Sequence, residues 1–346
     1  MNKFKLSKKL CEAFGVSGCE DEVRDIIKSV MTPLCDSVET DRIGNLICFK
    51  KGTSSSSENI MLAAHMDEVG FIITGITKEG YLRFRAVGGI DPRVVIAKRV
   101  CVGDKRINGV IGDKPPHLGK SDAAPKMRDL YIDIGAKNET EASKHTAIGD
   151  YVCFERKFVQ FGGAALVSAA LVSAKALDDR IGCFILTELA KNRYPNDVYY
   201  TFTVQEEIGC RGAAIAAHNI MPNVAIVVEG TTCSDVPGTE KSAQVTKLGG
   251  GAALSIVDRS SYADITLRKA LYNTAVSNNI PVQYKQTMMG GNDSGAIHLA
   301  KTGIRTAVIS VPCRYIHSPS SVASIADIEA CTNILDRFMA NEEEKA

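Results

Sequence analysis

Apolar residues change their spacing along this chain, and each change marks a different kind of element. Near the start, Val23, Ile26, Ile27 and Val30 recur at helical intervals. Ser17, with Glu20 three residues on, has the form of a capping box, so a helix is predicted here. Residues 44–49 read as a strand, and 52–58, with four consecutive serines, as a solvated loop. The run Ile60-Met61-Leu62-Ala63-Ala64 then predicts a buried strand leading straight into His65. From about residue 70 to 163 the texture shifts to short strand-like segments punctuated by glycine, at 80–87, 98–102 and 106–112. No long helical pattern separates them, which suggests a small barrel or sandwich. After Ala174 the pattern shifts back. Residues 180–192 place Ile181, Phe184, Ile185 and Leu189 on one helical face, and strands are predicted at 198–204, 225–228 and 306–311.

Strands alternating with helices imply an α/β fold whose mostly parallel sheet is covered by helices on both faces. The simplest division is a discontinuous α/β domain from residues 1–70 and 164–346, interrupted by an inserted β-rich, barrel-like domain at 71–163.

Composition removes several classes of function. Lysine and arginine total 41 against 40 aspartates and glutamates, so no general field draws the chain to nucleic acid or anionic lipid. No apolar run approaches the roughly 18 residues of a membrane span, and the stretch Met1-Asn2-Lys3-Phe4-Lys5-Leu6 lacks a signal-peptide core. The 11 cysteines are odd in number and form no Cys-x-x-Cys pair. Cys48, Cys153 and Cys183 lie in apolar segments, which favours reduced thiols in a cytoplasmic protein.

Candidate chemistry sits at the strand ends. His65, Glu206, Glu207, Glu229 and His317 all fall shortly after predicted strands, where ligands bind in open α/β sheets. Asp178 precedes a helix and meets the positive end of its dipole. Each residue alone has an ordinary explanation: a loop histidine, a capped helix start at Asp178-Asp179-Arg180, a solvated glutamate pair. Glu229 fits such an explanation least well, because an unpaired carboxylate after an apolar strand is costly to bury. Taken together they suit two divalent metals, one held by His65, Glu229 and Asp178, the other by Glu207, His317 and the second oxygen of Asp178. Glu206 is left as a general base, and Asp67 stands where it can accept the other N–H of His65. His117, His145, His218 and His298 lack comparable surroundings and are assigned surface or packing roles.

The strings His65-Met66-Asp67-Glu68-Val69-Gly70-Phe71, Ala176-Leu177-Asp178-Asp179-Arg180-Ile181-Gly182 and Val204-Gln205-Glu206-Glu207-Ile208-Gly209 resemble the family-42 metallo-aminopeptidases. That group contains tetrahedral aminopeptidases, glutamyl aminopeptidases and proteins once labelled cellulase M. Leu130-Tyr131-Ile132-Asp133-Ile134-Gly135-Ala136 and Arg314-Tyr315-Ile316-His317-Ser318 extend the likeness over nearly the whole chain. The resemblance implies a dinuclear zinc exopeptidase-like fold in a cytoplasmic enzyme using two zinc or cobalt ions per subunit to remove N-terminal residues from short peptides. It implies His65, Asp178, Glu207, Glu229 and His317 as ligands, Glu206 as base and Asp67 as the support of His65. It also implies dimerisation through the inserted domain and homo-oligomers from dimer to hollow tetrahedral dodecamer. One position departs: the ligand at Glu229 is often aspartate in this family.

Other readings remain at this level. A dinuclear deacylase of N-acylated amino acids would use the same metals. A non-catalytic peptide-binding assembly protein would keep the fold, though the retained Glu206 speaks against it. A glycosidase needs two carboxyls about 5–9.5 Å apart across a sugar bond, and these carboxylates have better uses around metals. Gly119-Lys120-Ser121 lacks the first glycine of a phosphate loop, since Lys114 stands there, and no Gly-x-Ser-x-Gly elbow exists. Gly249-Gly250-Gly251 and Gly290-Gly291-Asn292-Asp293 read as turns able to line a pocket, and residues 341–345 as a solvated tail.

Overall fold

The computed structural model describes residues 4–54, 58–115, 117, 124–164, 167–286 and 290–341. The Gly119-Lys120-Ser121 run and all of the tail after Asn341 lie outside the described residues.

An unbroken apolar strand needs cover on both faces, and the central strands alternate accordingly. Ile60, Leu62 and Ala64 point into one core with Ile226, Val228, Ile309 and Val311. Met61 and Ala63 point into another with Ala225, Val227 and Val308. The first core is closed by the helices Leu177–Leu189, Ile325–Ala340 and Ile265–Ser277 together with the N-terminal pair Lys5–Glu12 and Asp21–Met31. The second is closed by Arg211–Ile220, whose Ala213, Ala216 and Ala217 let it approach closely, and by Ser294–Ile297.

Among the described residues the large sheet has eleven strands. Its parallel centre runs Asp197–Thr203, Asn59–His65, Val224–Thr232, Arg305–Arg314. The margins are antiparallel: Leu46–Lys50 and Ser37–Thr40 on one side, Ser321–Ser324, Val167–Ala174 and Val159–Ala164 on the other. The register sets Thr203 beside His65 and Glu229 beside Ser310, so the carboxyl ends of the parallel strands share one edge.

Five residues beyond His65 the chain enters a closed six-stranded barrel: Gly70–Ile76, Leu82–Val87, Tyr131–Asp133, Ile107–Gly112, Arg99–Val102 and Tyr151–Phe154. Its interior is a separate core in which Phe71 meets Phe84 and Phe154 edge-on, with ring centroids 5.0 and 5.3 Å apart. Gly70 is required at the entry, because a Cβ there would stand 2.5 Å from Val16 and 2.6 Å from the Val152 carbonyl oxygen. The barrel ends at Phe154, and Val159–Ala164 pairs with the large sheet. The boundary expected between 163 and 164 therefore falls inside a sheet strand, since that segment finds its hydrogen-bond partner in Val167–Ala174.

Two local expectations change. The helix starts at Asp21 with Glu20 in the N-cap position, yet neither the Ser17 nor the Glu20 side chain caps it; both turn toward the strand edge. Glu229 lies inside the Val224–Thr232 strand, which runs on through the polar residues Gly230-Thr231-Thr232 because the Arg305–Arg314 strand continues beside it.

Candidate metal centre

The parallel edge gathers every residue singled out from the sequence. His65 ends its strand almost fully buried, with its Nε2 3.3 Å from Asp178 Oδ1 and 3.7 Å from Glu229 Oε2. On the other side, His317 Nε2 lies 3.3 Å from Asp178 Oδ2 and 3.2 Å from Glu207 Oε1. Asp178 thus offers one oxygen to each imidazole. Glu206 Oε2 stands 3.9 Å from His65 Nε2. His117, His145 and His218 are exposed, and His298 is half-buried with Nδ1 2.8 Å from the Ser294 carbonyl, so none joins the cluster.

Local backbone geometry aims these side chains. Gln205, Ala176 and His317 have φ of 59°, 54° and 56°, a left-handed conformation that non-glycine residues adopt only where the surroundings impose it. Each turns the chain sharply beside a site residue. A Cβ on Gly230 would come within 3.0 Å of Asp178, so glycine after Glu229 is what lets the Asp178 backbone approach the strand. The ring of His317 is fixed by the barrel, its Nδ1 lying 2.9 Å from the Gly89 carbonyl.

Asp67 does more than the sequence suggested. Fully buried, it lies with Oδ1 3.3 Å from His65 Nδ1, whose other neighbour is the Asp67 backbone oxygen at 3.1 Å. The same carboxylate accepts the N–H of Glu206 at 3.0 Å, the N–H of Glu207 at 3.1 Å and the hydroxyl of Ser17 at 2.6 Å. Glu20 accepts from the N–H groups of Gly18 and Gln205 at 2.7 and 3.2 Å, bracing the same turn. Below it, buried Arg180 donates to the carbonyls of Met66, Leu10 and Gly15 and pairs with Glu68, which Lys175 also holds. Asp179 accepts from the backbone N–H of His65. Apart from Asp67, none of these supports stands out in sequence, where Ser17–Glu20 matches a capping box and Asp179-Arg180 a helix start.

Charge is concentrated and poorly solvated. Burial pushes the Glu206 and Glu229 carboxyls well above their ordinary range, and neighbouring Asp178 adds to both shifts. Burial opposes a charge on His317, yet pairing with Asp178 and Glu207 raises it to about 11. Asp178, also resisted by burial, is held well below the usual carboxylate range by the two imidazoles.

The donor set fits divalent cations. Among the described residues, Asp178 Oδ1, Glu207 Oε1 and Glu229 Oε1 are buried without a hydrogen-bond partner, a state that buried polar atoms rarely tolerate. Two imidazole nitrogens and several carboxylate oxygens form a set that zinc and similar ions accept. Donor atoms of His65, Asp178 and Glu207 lie within 4.8 Å of one another, as do those of His65, Asp179 and Glu229. The cluster opens onto a cavity of about 710 Å³, whose lining includes Thr231, Arg259 and Lys285.

Residues 44–334 match the family described as M42 glutamyl aminopeptidase. The chain belongs to the M42 peptidase family. As an M42 member it is a hydrolase of peptide bonds in a family of aminopeptidases. It is 32% identical over 340 residues to the lysyl aminopeptidase of Pyrococcus furiosus, covering 95% of this chain and 94% of that one. The TET aminopeptidase of the marine sediment archaeon Thaumarchaeota archaeon SCGC AB-539-E09 superposes with a TM-score of 0.93 at 37% identity, covering 98% of this chain and 96% of that one. Pyrococcus horikoshii TET1 peptidase, which can assemble into a tetrahedron or a large octahedral shell, does so with 0.85 at 34%, covering 98% and 99%. Among the described residues, no helix of this M42 chain is long and apolar enough to cross a membrane.

Proposed function

We propose that this M42 chain removes N-terminal residues from short peptides with two divalent cations, zinc or cobalt. His65, Glu229 and Asp178 hold one, and Glu207, His317 and Asp178 the other. The observation that carries this reading is the disposition of Asp178, with one oxygen 3.3 Å from His65 and the other 3.3 Å from His317. A bridging carboxylate in a dinuclear site needs this two-sided arrangement.

Bound there, the cations supply Lewis acidity toward the scissile carbonyl and a water. The chain's own groups do the rest. Glu206, 3.9 Å from His65 Nε2 and raised in basicity by burial, takes the proton of the attacking water at its carboxylate and delivers it to the leaving amine. Asp67 fixes the His65 ring and, through the N–H groups of Glu206 and Glu207, the separation of base and ligand. The surplus of carboxylates favours a free α-ammonium over an N-acyl group, which separates an aminopeptidase from a deacylase. Arg259 and Lys285 on the cavity wall favour an acidic first side chain. The lysyl name of a relative and the glutamyl name of the family show that family membership alone does not decide this preference.

The barrel, from Gly70 to Phe154, is proposed as the dimerisation unit of a cytoplasmic homo-oligomer between dimer and dodecamer; the shells formed by the Pyrococcus horikoshii relative support this. Hydrolysis of free and N-blocked aminoacyl anilides, with zinc or cobalt added, tests the activity. Cleavage of free N-termini only, abolished by chelation, is expected; cleavage of blocked substrates would make the chain a deacylase.

A further inference from the structure

Behind Glu206 lies a second group of donors that the hydrolytic reading leaves unused. One donor atom each from Glu206, Cys210 and Asp293 lies within 4.8 Å of the other two. Cys210 Sγ is 3.5 Å from Glu206 Oε1, and the N–H of Cys210 donates to the Glu206 carbonyl at 2.9 Å, so one tight turn sets both side chains. Asp293, just before the Ser294–Ile297 helix, is fully buried. Its Oδ2 accepts the Thr203 hydroxyl, while Oδ1 has no hydrogen-bond partner among the described residues. A desolvated carboxylate oxygen left this way calls for a donor or a cation. Glu206, Cys210 and Asn292 line the large cavity, which gives an ion a path to the group.

We propose that Glu206, Cys210 and Asp293 form a third cation site, selective for zinc and cadmium and inhibitory when filled. Sulfur among the ligands sets the selectivity: a thiolate prefers soft or borderline ions over magnesium, calcium or manganese. The thiol proton passes to solvent as the metal–sulfur bond forms. The site's existence rests on this ligand set alone; its inhibitory effect rests on the reading of Glu206 as the base, because a carboxylate bound to an ion no longer accepts a proton. The five ligands proposed for the hydrolytic pair include no thiol, so a sulfur signature distinguishes the new site from that pair.

The test uses the full chain with its hydrolytic pair first loaded with cobalt, titrated with cadmium and followed by thiolate-to-cadmium charge-transfer absorption. Wild type is expected to show a component that Cys210→Ser lacks. Asp293→Asn, which keeps every thiol, is expected to weaken that component by more than the about 100-fold that loss of a mere supporting residue can cost. Excess zinc is expected to inhibit wild type at concentrations that leave Cys210→Ser at its own uninhibited rate. Identical cadmium spectra for wild type and Cys210→Ser would overturn the site. A spectral difference with identical zinc inhibition would overturn its inhibitory role. Lack of peptidase activity under all conditions would instead overturn the reading of Glu206 as base, with the spectra still deciding the site.

Discussion

Asp67→Asn isolates what the buried carboxylate at the strand edge does. The amide has nearly the same shape but one oxygen where the carboxylate has two. In the wild type, Oδ1 accepts the Glu206 N–H and faces His65 Nδ1, while Oδ2 accepts the Glu207 N–H and the Ser17 hydroxyl. Whichever way the amide is placed, its NH₂ faces a backbone N–H of Glu206 or Glu207. Ser17 can rotate its hydroxyl to accept, but the backbone cannot. One charge-assisted bond is lost, worth about 1.5–3 kcal/mol, and the buried N–H it served is left without an acceptor. The turn carrying base and ligand is displaced as a consequence. We expect kcat/KM to fall about 10- to 100-fold, with weaker metal retention, as for residues that orient metal ligands. Ser17→Ala removes only the hydroxyl and leaves both backbone bonds, so about 1 kcal/mol and less than tenfold is expected. Steady-state kinetics and metal content of the two variants are the assay. Asp67→Asn within threefold of wild type, or Ser17→Ala equally impaired, would refute this reasoning.

Other perturbations test the supports and the fold. Burial raises the Glu20 carboxyl to about 7, so the folded state binds its proton more tightly than the unfolded chain does. Its contribution is present below the ordinary glutamate range near 4.5 and is lost as pH rises through about 7. Chemical denaturation between those values is therefore expected to show a decline in stability that Glu20→Gln flattens; an unchanged slope would contradict this. Arg180→Met leaves three buried carbonyls without their donor and is expected to cost about 3–5 kcal/mol, read as a lowered denaturation midpoint. Leu62→Ala, in the core under the Leu177–Leu189 helix, is expected to cost about 2–5 kcal/mol by the same measurement, and a loss below 1 kcal/mol would place that side chain outside the core.

Much of this organisation was legible because it rests on local periodicity. The run from Ile60 to Ala64 announced a strand buried on both faces, and alternate residues do enter different cores. The glycine-punctuated middle announced a separate β structure, and its six strands close. The strand bearing Glu229 runs longer than its sequence predicts, because Gly230-Thr231-Thr232 is kept extended by a neighbour distant in sequence. Ser17 and Glu20 show the same limit. Their spacing satisfies a capping rule, yet the hydroxyl reaches Asp67, 50 positions away, and the carboxylate reaches Gln205. Such partners are chosen by tertiary packing and leave no periodic trace. In sequence Asp293 reads as part of a turn, and only the fold places its carboxylate close to Glu206.

In the proposed reaction Glu206 handles the proton while five other residues hold the ions. Measuring both metal content and hydrolysis of a free-N-terminal anilide for Glu206→Gln tests it directly. Two divalent ions per subunit, as in wild type, are expected, with hydrolysis lost. A variant that still turns over, or one that has lost its ions along with its activity, would contradict it.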